Sequence, residues 1–250
     1  MFHTGVVSVS FRSLRPDEIV QAMTGCGLEY VEWGSDIHAP CTDAERLAEI
    51  VALQEKYGVK CCSYGTYFRL GVTPNSELPD YIRAAKMLGT KTLRLWAGTK
   101  RPELYDAEAR DTFFAACREA AKIAEEAGVT LCMECHSHTY TETKEGALEL
   151  MQAVSSPAFR MYWQSNDTQT VDENVAYIRL LKPYIGNIHV FHWVNGNQYP
   201  LALGREKWET YLSELGGDRM LLLEFVPDKR VESLPKEAQA LRGIAAACCP

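Results

Sequence analysis

The chain has 250 residues, of which 46% are hydrophobic, and its formal net charge is −7. This length suits one large α/β domain or two small ones, with enough apolar residues for a sizeable core. The acidic balance argues against a protein that binds the phosphate backbone of nucleic acids, and no apolar run approaches the roughly 20 residues that span a bilayer.

Short apolar strands alternate with amphipathic helices along the whole chain. The strands are predicted at Gly5–Ser10, Leu28–Trp33, Val59–Tyr64, Lys91–Trp96, Val129–Glu134, Arg160–Gln164, Ile185–Phe191 and Met220–Val226. The helices are predicted from Pro16 to Gly27, Thr42 to Gly58, Ser76 to Gly89, Asp106 to Gly128, Thr143 to Val154, Val171 to Leu181, Lys207 to Leu215 and Glu232 to Ala247.

Eight strand–helix units in this length predict a single (β/α)8 TIM barrel over residues 1–250, with parallel strands and an active site at their C-terminal ends. The alternative is an open, doubly wound sheet. The segment after the first strand lacks the Gly-x-Gly-x-x-Gly pattern that would favour this alternative, and no P-loop is present.

Nine cysteines and an N-terminus without a signal-peptide pattern predict reduced thiols and a cytoplasmic protein. Cys132 and Cys135 have CxxC spacing, which leaves a redox or zinc role open beside simple packing. No second CxxC completes a zinc site. Cys61-Cys62 and Cys248-Cys249 are interpreted as packing thiols.

Polar side chains occur near the C-terminal ends of strands five to eight, where a buried strand has no structural need of them. Glu134, Gln164, His189 and Glu224 would converge on one half of the barrel mouth. Two carboxylates, an amide oxygen and an imidazole form a plausible set of ligands for one divalent ion such as Mn²⁺, Mg²⁺, Co²⁺ or Zn²⁺. The alternative is that each is a satisfied polar group in a hydrogen-bond network.

In these stretches the chain resembles the xylose-isomerase-like barrel superfamily, specifically its sugar phosphate isomerase/epimerase branch. The matching stretches are 27–38 (GLEYVEWGSDIH), 93–98 (LRLWAG), 133–136 (MECH), 162–164 (YWQ), 189–193 (HVFHW) and 223–226 (LEFV). The resemblance implies metal ligation by Glu134, His189 and Glu224. Where the family usually has an aspartate this chain has Gln164, a neutral ligand that weakens the hold on a hard cation; Asp167 is an alternative donor.

The resemblance also implies a reaction. Isomerisation and epimerisation of a small sugar or sugar phosphate both remove a proton next to a carbonyl, giving an enediolate whose charge a metal can stabilise. The roles of base and acid fall on Glu134 and Glu224. The family often has an arginine after strand seven, for which Arg205 is a candidate.

Further residues at strand ends and in the following loops are candidates for contact with the substrate. These are Glu32, His38, Arg94, Trp96, His136, Trp163 and Arg205. For Arg94 and Glu32 the alternative is an ion pair inside the barrel. For the tryptophans it is packing in the top layer of the barrel, as opposed to stacking on a sugar ring.

Competing functions remain open. A keto-sugar or inosose dehydratase starts with the same proton abstraction, and a barrel with a degenerate metal site could bind a carbohydrate without turning it over. The DNA-repair endonucleases of the superfamily need more metal-binding histidines and a basic groove, which six histidines and an acidic balance do not favour. The expected partner is therefore a small carbohydrate, not nucleic acid or a membrane; the resemblance also implies that a homo-oligomer is common.

Overall fold

The computed structural model describes residues 1–248, so Cys249 lies outside the described residues. The strands are β1 (Phe2–Val7), β2 (Tyr30–Gly34), β3 (Lys60–Leu70), β4 (Thr92–Ala97), β5 (Thr130–Glu134), β6 (Phe159–Trp163), β7 (Ile185–Val190), β8 (Trp193–Val194), β9 (Asn197–Gln198) and β10 (Arg219–Leu223). The α-helices are α1 (Pro16–Gly25), α2 (Ala44–Tyr57), α3 (Leu78–Met87), α4 (Ala107–Ala127), α5 (Lys144–Val154), α6 (Val171–Leu181), α7 (Arg205–Leu215) and α8 (Leu234–Ala247).

Eight of these strands close into a parallel barrel in the order β1, β10, β7, β6, β5, β4, β3, β2. The predicted (β/α)8 fold is therefore confirmed, and the open sheet is excluded. β5, β6, β7 and β10 are neighbours in the barrel, so residues at their C-terminal ends share one side of its mouth. No helix within residues 1–248 is long and apolar enough to cross a membrane.

The barrel strands pack against apolar side chains on both their outer and their inner faces. The larger layer fills the space between strands and helices, while a small inner group of Val7, Val9, Cys132, Tyr162 and Leu222 occupies the barrel interior. This small inner core leaves the upper part of the interior to buried polar side chains.

Local sequence signals account for several of the helix boundaries. The side chains of Asp43, Asp106 and Thr143 each accept a backbone N–H in the first turn of the helix that follows. Gly58 and Gly128 end α2 and α4 in the left-handed conformation that glycine adopts without steric cost. The limits of α6 coincide with those predicted.

Three strand predictions were wrong by three or more residues at an end. β3 continues to Leu70, six residues beyond its predicted end at Tyr64. β1 begins and ends three residues earlier than predicted, because Ser8–Phe11 forms a short 3-10 turn whose serines bind neighbouring strands. Ser8 Oγ accepts the Gly34 N–H at 2.9 Å, and Ser10 Oγ accepts the Phe225 N–H at 2.8 Å. The eighth barrel strand ends at Leu223, not Val226, since Phe225 turns out of the strand with a φ of 67°.

A two-stranded hairpin, β8 and β9, lies between β7 and α7 and was not predicted. Its turn residues, Asn195 and Gly196, both have positive φ. An Asn-Gly pair between two short strands is a strong hairpin signal, so the sequence contained the information.

The CxxC cysteines do not form a metal or redox pair. Cys132 is buried in the barrel interior, whereas the thiol of Cys135 lies 3.1 Å from the backbone nitrogen of Gln164. Both are free thiols. Burial raises the pKa of each to about 12, which makes them unreactive at neutral pH.

Candidate metal centre

Three ionisable side chains meet at the mouth of the barrel. Glu134 is the last residue of β5, His189 lies in β7, and Glu224 directly follows β10. One ligand atom from each lies within 4.8 Å of the others, and all three residues are buried. His189 Nδ1 is 3.3 Å from Glu224 Oε2 and 3.9 Å from Glu134 Oε1. The sequence-predicted group is therefore brought together.

Gln164 completes the group from the end of β6. Its Oε1 lies 3.2 Å from the same His189 Nδ1, so two carboxylates and an amide oxygen surround one imidazole nitrogen. Asp167, the alternative donor, instead accepts the Gly196 N–H of the hairpin at 2.8 Å. The donor set that the structure assembles is thus the one with Gln164.

One oxygen of Glu134 is held in place from two sides. Trp96 Nε1 donates a hydrogen bond to Oε2 at 2.7 Å, and Arg94 Nη1 lies 3.1 Å from the same atom. The other oxygen, Oε1, faces His189. The carboxylate is therefore fixed by one atom and presents the other to the centre.

Arg94 and Glu32 form a buried ion pair in the barrel interior. Arg94 Nε lies 3.3 Å from Glu32 Oε1, and neither side chain is more than 3% exposed. The structure supports the ion pair as the role of these two residues, because each has its charged partner inside the barrel and is buried there. Glu32 Oε1 also lies 3.5 Å from His189 Nε2.

The charges of the group shift one another's pKa values. Burial alone would lower the pKa of His189, but Glu224, Glu32 and Glu134 raise it to about 9. Burial would raise the pKa of Glu32, yet the charges of His189 and Arg94 bring it down to about 2. Burial raises the pKa of Glu224, and the negative charge of Glu134 adds to this although His189 opposes it.

A pocket of about 310 Å³ opens above the centre, which is in the size range of small-molecule sites. Its wall combines acidic, amide and aromatic side chains from the loops after β5, β6, β7 and β10. They include Glu134, His136, Gln164, Asn166, Asp167, Phe191, Trp193, Glu224 and Phe225. A mixed polar and aromatic wall suits a polyhydroxylated ligand.

The remaining predicted contact residues fall into two groups. Trp96 and His136 belong to the site: their rings are 5.6 Å apart, and His136 lines the pocket. Arg205 lies on the surface, where its Nε is 2.6 Å from Glu209 Oε1. It is not among the pocket residues, and neither is His38.

His38 has an internal role. It is 2% exposed, with Nδ1 3.0 Å from Ser8 Oγ and Nε2 3.2 Å from the Leu14 carbonyl. Both nitrogens are used by the protein itself, so the prediction of substrate contact is not supported.

Trp163 borders the pocket, but its ring points away from it. The ring packs edge-on against Trp208 and Tyr211 of α7. On β6 it is Tyr162 that points inward, with its ring centroid 4.4 Å from that of His189. Sequence reasoning missed Tyr162, although the two-residue period of a strand puts it on the same side as Gln164.

The fold and the site together define a (β/α)8 barrel with a candidate divalent-metal centre at the C-terminal ends of its strands. The sequence model of the family described as "Xylose isomerase-like TIM barrel" matches residues 20–245. The chain therefore belongs to this family.

Solved structures agree on the fold. The probable 3-DHS dehydratase AsbF of Bacillus anthracis superposes with a TM-score of 0.82 at 18% identity, over 97% of this chain and 99% of that one. D-psicose 3-epimerase of Clostridium cellulolyticum, solved with D-tagatose, gives 0.72 at 13% identity over 98% and 99%. The IolI protein with a bound zinc atom gives 0.73 at 14% identity, over 98% of each chain. No curated protein matches the chain closely enough to count as a relative.

Proposed function

We propose that this protein is a metal-assisted isomerase or epimerase of a small sugar or sugar phosphate. The observation that carries the proposal is the convergence of Glu134, Gln164, His189 and Glu224 on one point beneath a polar pocket. This donor set fits a divalent cation of intermediate hardness, such as Mn²⁺, Co²⁺ or Zn²⁺, better than Mg²⁺, which favours oxygen ligands and its own waters.

The cation, when bound, would polarise the substrate carbonyl and stabilise the negative charge that develops on its oxygen. The protein supplies the proton transfers. One carboxylate takes the proton from the carbon next to the carbonyl, and the electrons of the broken C–H bond move onto the carbonyl oxygen. The other carboxylate returns a proton, to the opposite face of the same carbon or to the neighbouring carbon.

The environments of the two carboxylates differ. Glu134 accepts a hydrogen bond from Trp96 and pairs with Arg94 through the same oxygen. Glu224 lies 3.3 Å from His189, and its raised pKa suits a group that gains and loses a proton near neutral pH.

The test begins with metal analysis of protein purified without chelator. The protein is then incubated in D₂O with a panel of ketoses and ketose phosphates, and deuterium incorporation is followed by NMR. We expect exchange next to the carbonyl and an isomeric product, with a loss of at least about 100-fold in E134Q and in E224Q.

Glu237 offers a matched control for these variants. It is a similarly buried carboxylate that accepts the Leu201 N–H at 2.9 Å, away from the pocket. E237Q should retain exchange. Near-wild-type exchange in E134Q or E224Q would remove that residue from the mechanism. A product lighter by one water would identify a dehydratase, and metal binding without exchange on any sugar would contradict an isomerase.

We also propose a cytoplasmic setting for the enzyme. Support comes from Cys26, Cys61, Cys117 and Cys132, which are buried free thiols, as a reducing compartment would maintain them.

A further inference from the structure

The two ring nitrogens of His189 face different groups. Nδ1 points toward Glu134, Gln164 and Glu224, the donors of the candidate centre. Nε2 points the other way, into the barrel, where Glu32 Oε1 lies 3.5 Å away. Within the described residues, Nε2 has no hydrogen-bond partner of good geometry, and the same is true of Glu32 Oε2. A completely buried imidazole nitrogen therefore faces a completely buried carboxylate.

The backbone around Glu32 is shaped to accommodate this carboxylate and its partner Arg94. A Cβ atom at Gly65 would lie 2.6 Å from Glu32 Oε1 and 2.9 Å from Arg94 Nη2, so only glycine leaves room for the pair. Arg94 Nη1 also donates to the Thr66 carbonyl at 3.2 Å. The ion pair is thus built into β3 as well as into β2 and β4.

Arg94 connects the two sides of the centre. It contacts Glu32, which faces His189 Nε2, and Glu134, which faces His189 Nδ1. A change in the position of Glu32 is therefore expected to reach both His189 and Glu134.

We infer that Glu32 is a positioning residue that accepts the Nε2–H of His189 and so fixes the tautomer whose Nδ1 lone pair points at the candidate metal centre. This inference rests on the proposed metal-dependent function. A histidine that binds a metal through one nitrogen commonly donates the other N–H to a carboxylate, which fixes the ring and increases its basicity. Arg94 holds Glu32 in place and transmits the same constraint to Glu134.

The first experiment reads the tautomer directly. Zinc-loaded protein labelled with ¹⁵N-histidine is examined by long-range ¹H–¹⁵N correlation NMR, and the His189 signals are assigned by their loss in H189Q. We expect Nε2 to carry the proton and Nδ1 to show the shift of a metal-bound nitrogen. A metal-bound Nε2 would overturn the inference.

The second experiment measures metal affinity in three variants. E32Q keeps the shape and removes the charge, G65A displaces the pair while retaining every ionisable group, and E237Q is the control for loss of a buried carboxylate. Because loss of the Glu32 charge also makes His189 easier to deprotonate, affinities are measured at several pH values and corrected for proton release.

We expect about 10- to 100-fold weaker Co²⁺ or Zn²⁺ binding in E32Q and a loss in the same direction in G65A, with no change in E237Q. The visible spectrum of bound Co²⁺ should shift in the first two only. An unchanged affinity and spectrum in folded E32Q and G65A would overturn the inference.

Failure of the inference is separable from failure of the proposed function. A wild-type protein that binds none of these ions overturns both. A protein that binds zinc through Nδ1 and responds to E32Q, but exchanges no sugar proton, supports the positioning role and refutes the isomerase.

Discussion

Metal binding to this centre should depend steeply on pH, because the ion must displace a proton from His189. The three surrounding carboxylates raise the pKa of His189 to about 9 in the metal-free protein, whereas a metal ligand must be the neutral imidazole. At pH 7 only about 1% of the molecules have His189 unprotonated. The apparent affinity is then about 100-fold below its high-pH limit, or about 2.7 kcal/mol at 1.36 kcal/mol per pH unit.

Isothermal titration with Mn²⁺ or Co²⁺ under argon tests this expectation. Between pH 6 and pH 8 the Kd should fall by about tenfold per unit, and titrations in buffers of different ionisation enthalpy should report about one proton released per ion near pH 8. The pKa of Glu224 is also raised, so this carboxylate must also lose a proton when the ion binds, and the Kd should change more steeply with pH near pH 6.

H189Q is the control, since glutamine offers an oxygen ligand that does not titrate. Its binding should be weaker, and its Kd should change less steeply with pH than that of the wild-type protein, because no imidazole proton has to be displaced. A wild-type Kd that changes by less than about threefold across this range, in protein that remains folded, would refute the proposed role of His189.

Three further predictions follow from the same contacts. Gln164→Asp should tighten Mn²⁺ binding by about tenfold, since it adds a negative charge to the donor set, whereas Gln164→Asn should not; equilibrium dialysis measures both. Chelator-treated protein should lose about 2 kcal/mol of unfolding free energy between pH 6.5 and pH 8, as measured by urea titrations. The pKa values of His189 and Glu224 are higher in the folded state than in the unfolded state, so both groups contribute fully to stability at low pH. These contributions to stability are lost as the pH rises through the folded-state pKa values. Trp96→Phe should weaken metal binding by up to about tenfold without unfolding the protein, because it removes one of the donors that hold Glu134; an unchanged Kd would contradict this.

The rim of the barrel could be predicted because it depends on two simple regularities. Parallel strands bring their C-terminal ends to one edge, and residues at those ends therefore meet even when they are far apart in the chain. Glu134, Gln164, His189 and Glu224 needed only this reasoning, and the structure brings all four together.

Residues off the rim were predicted less well because their positions depend on loops and on strand register. His38 lies in a loop whose path is set by its contacts with Ser8 and Leu14, and no local sequence pattern predicts these contacts. Arg205 starts α7 and pairs along it with Glu209, an ordinary contact between helix neighbours. Trp163 is different, because the strand period places it opposite Gln164 and could have excluded it.

Whether Glu32 and Arg94 meet a substrate or each other could not be decided from the sequence. The two-residue period of a strand puts both side chains inside the barrel. Their positions along the barrel axis relative to Glu134, however, depend on the stagger of neighbouring strands. Register irregularities after Val31 in β2 and after Gly65 in β3 set that stagger, and a sequence pattern does not specify where such bulges fall.

The charge balance of the buried group gives a physical reason for an amide at position 164. Glu32, Glu134 and Glu224 bring three negative charges and Arg94 brings one positive charge, so a divalent cation with a neutral His189 makes the group electrically neutral. Without the cation, the protons on His189 and partly on Glu224 serve the same purpose. An aspartate at 164 would leave a buried net negative charge in either state, which costs several kcal/mol unless a further cation compensates it. Gln164 supplies the oxygen without that charge, and the centre can then exchange protons for a metal ion with only a small change in its net charge.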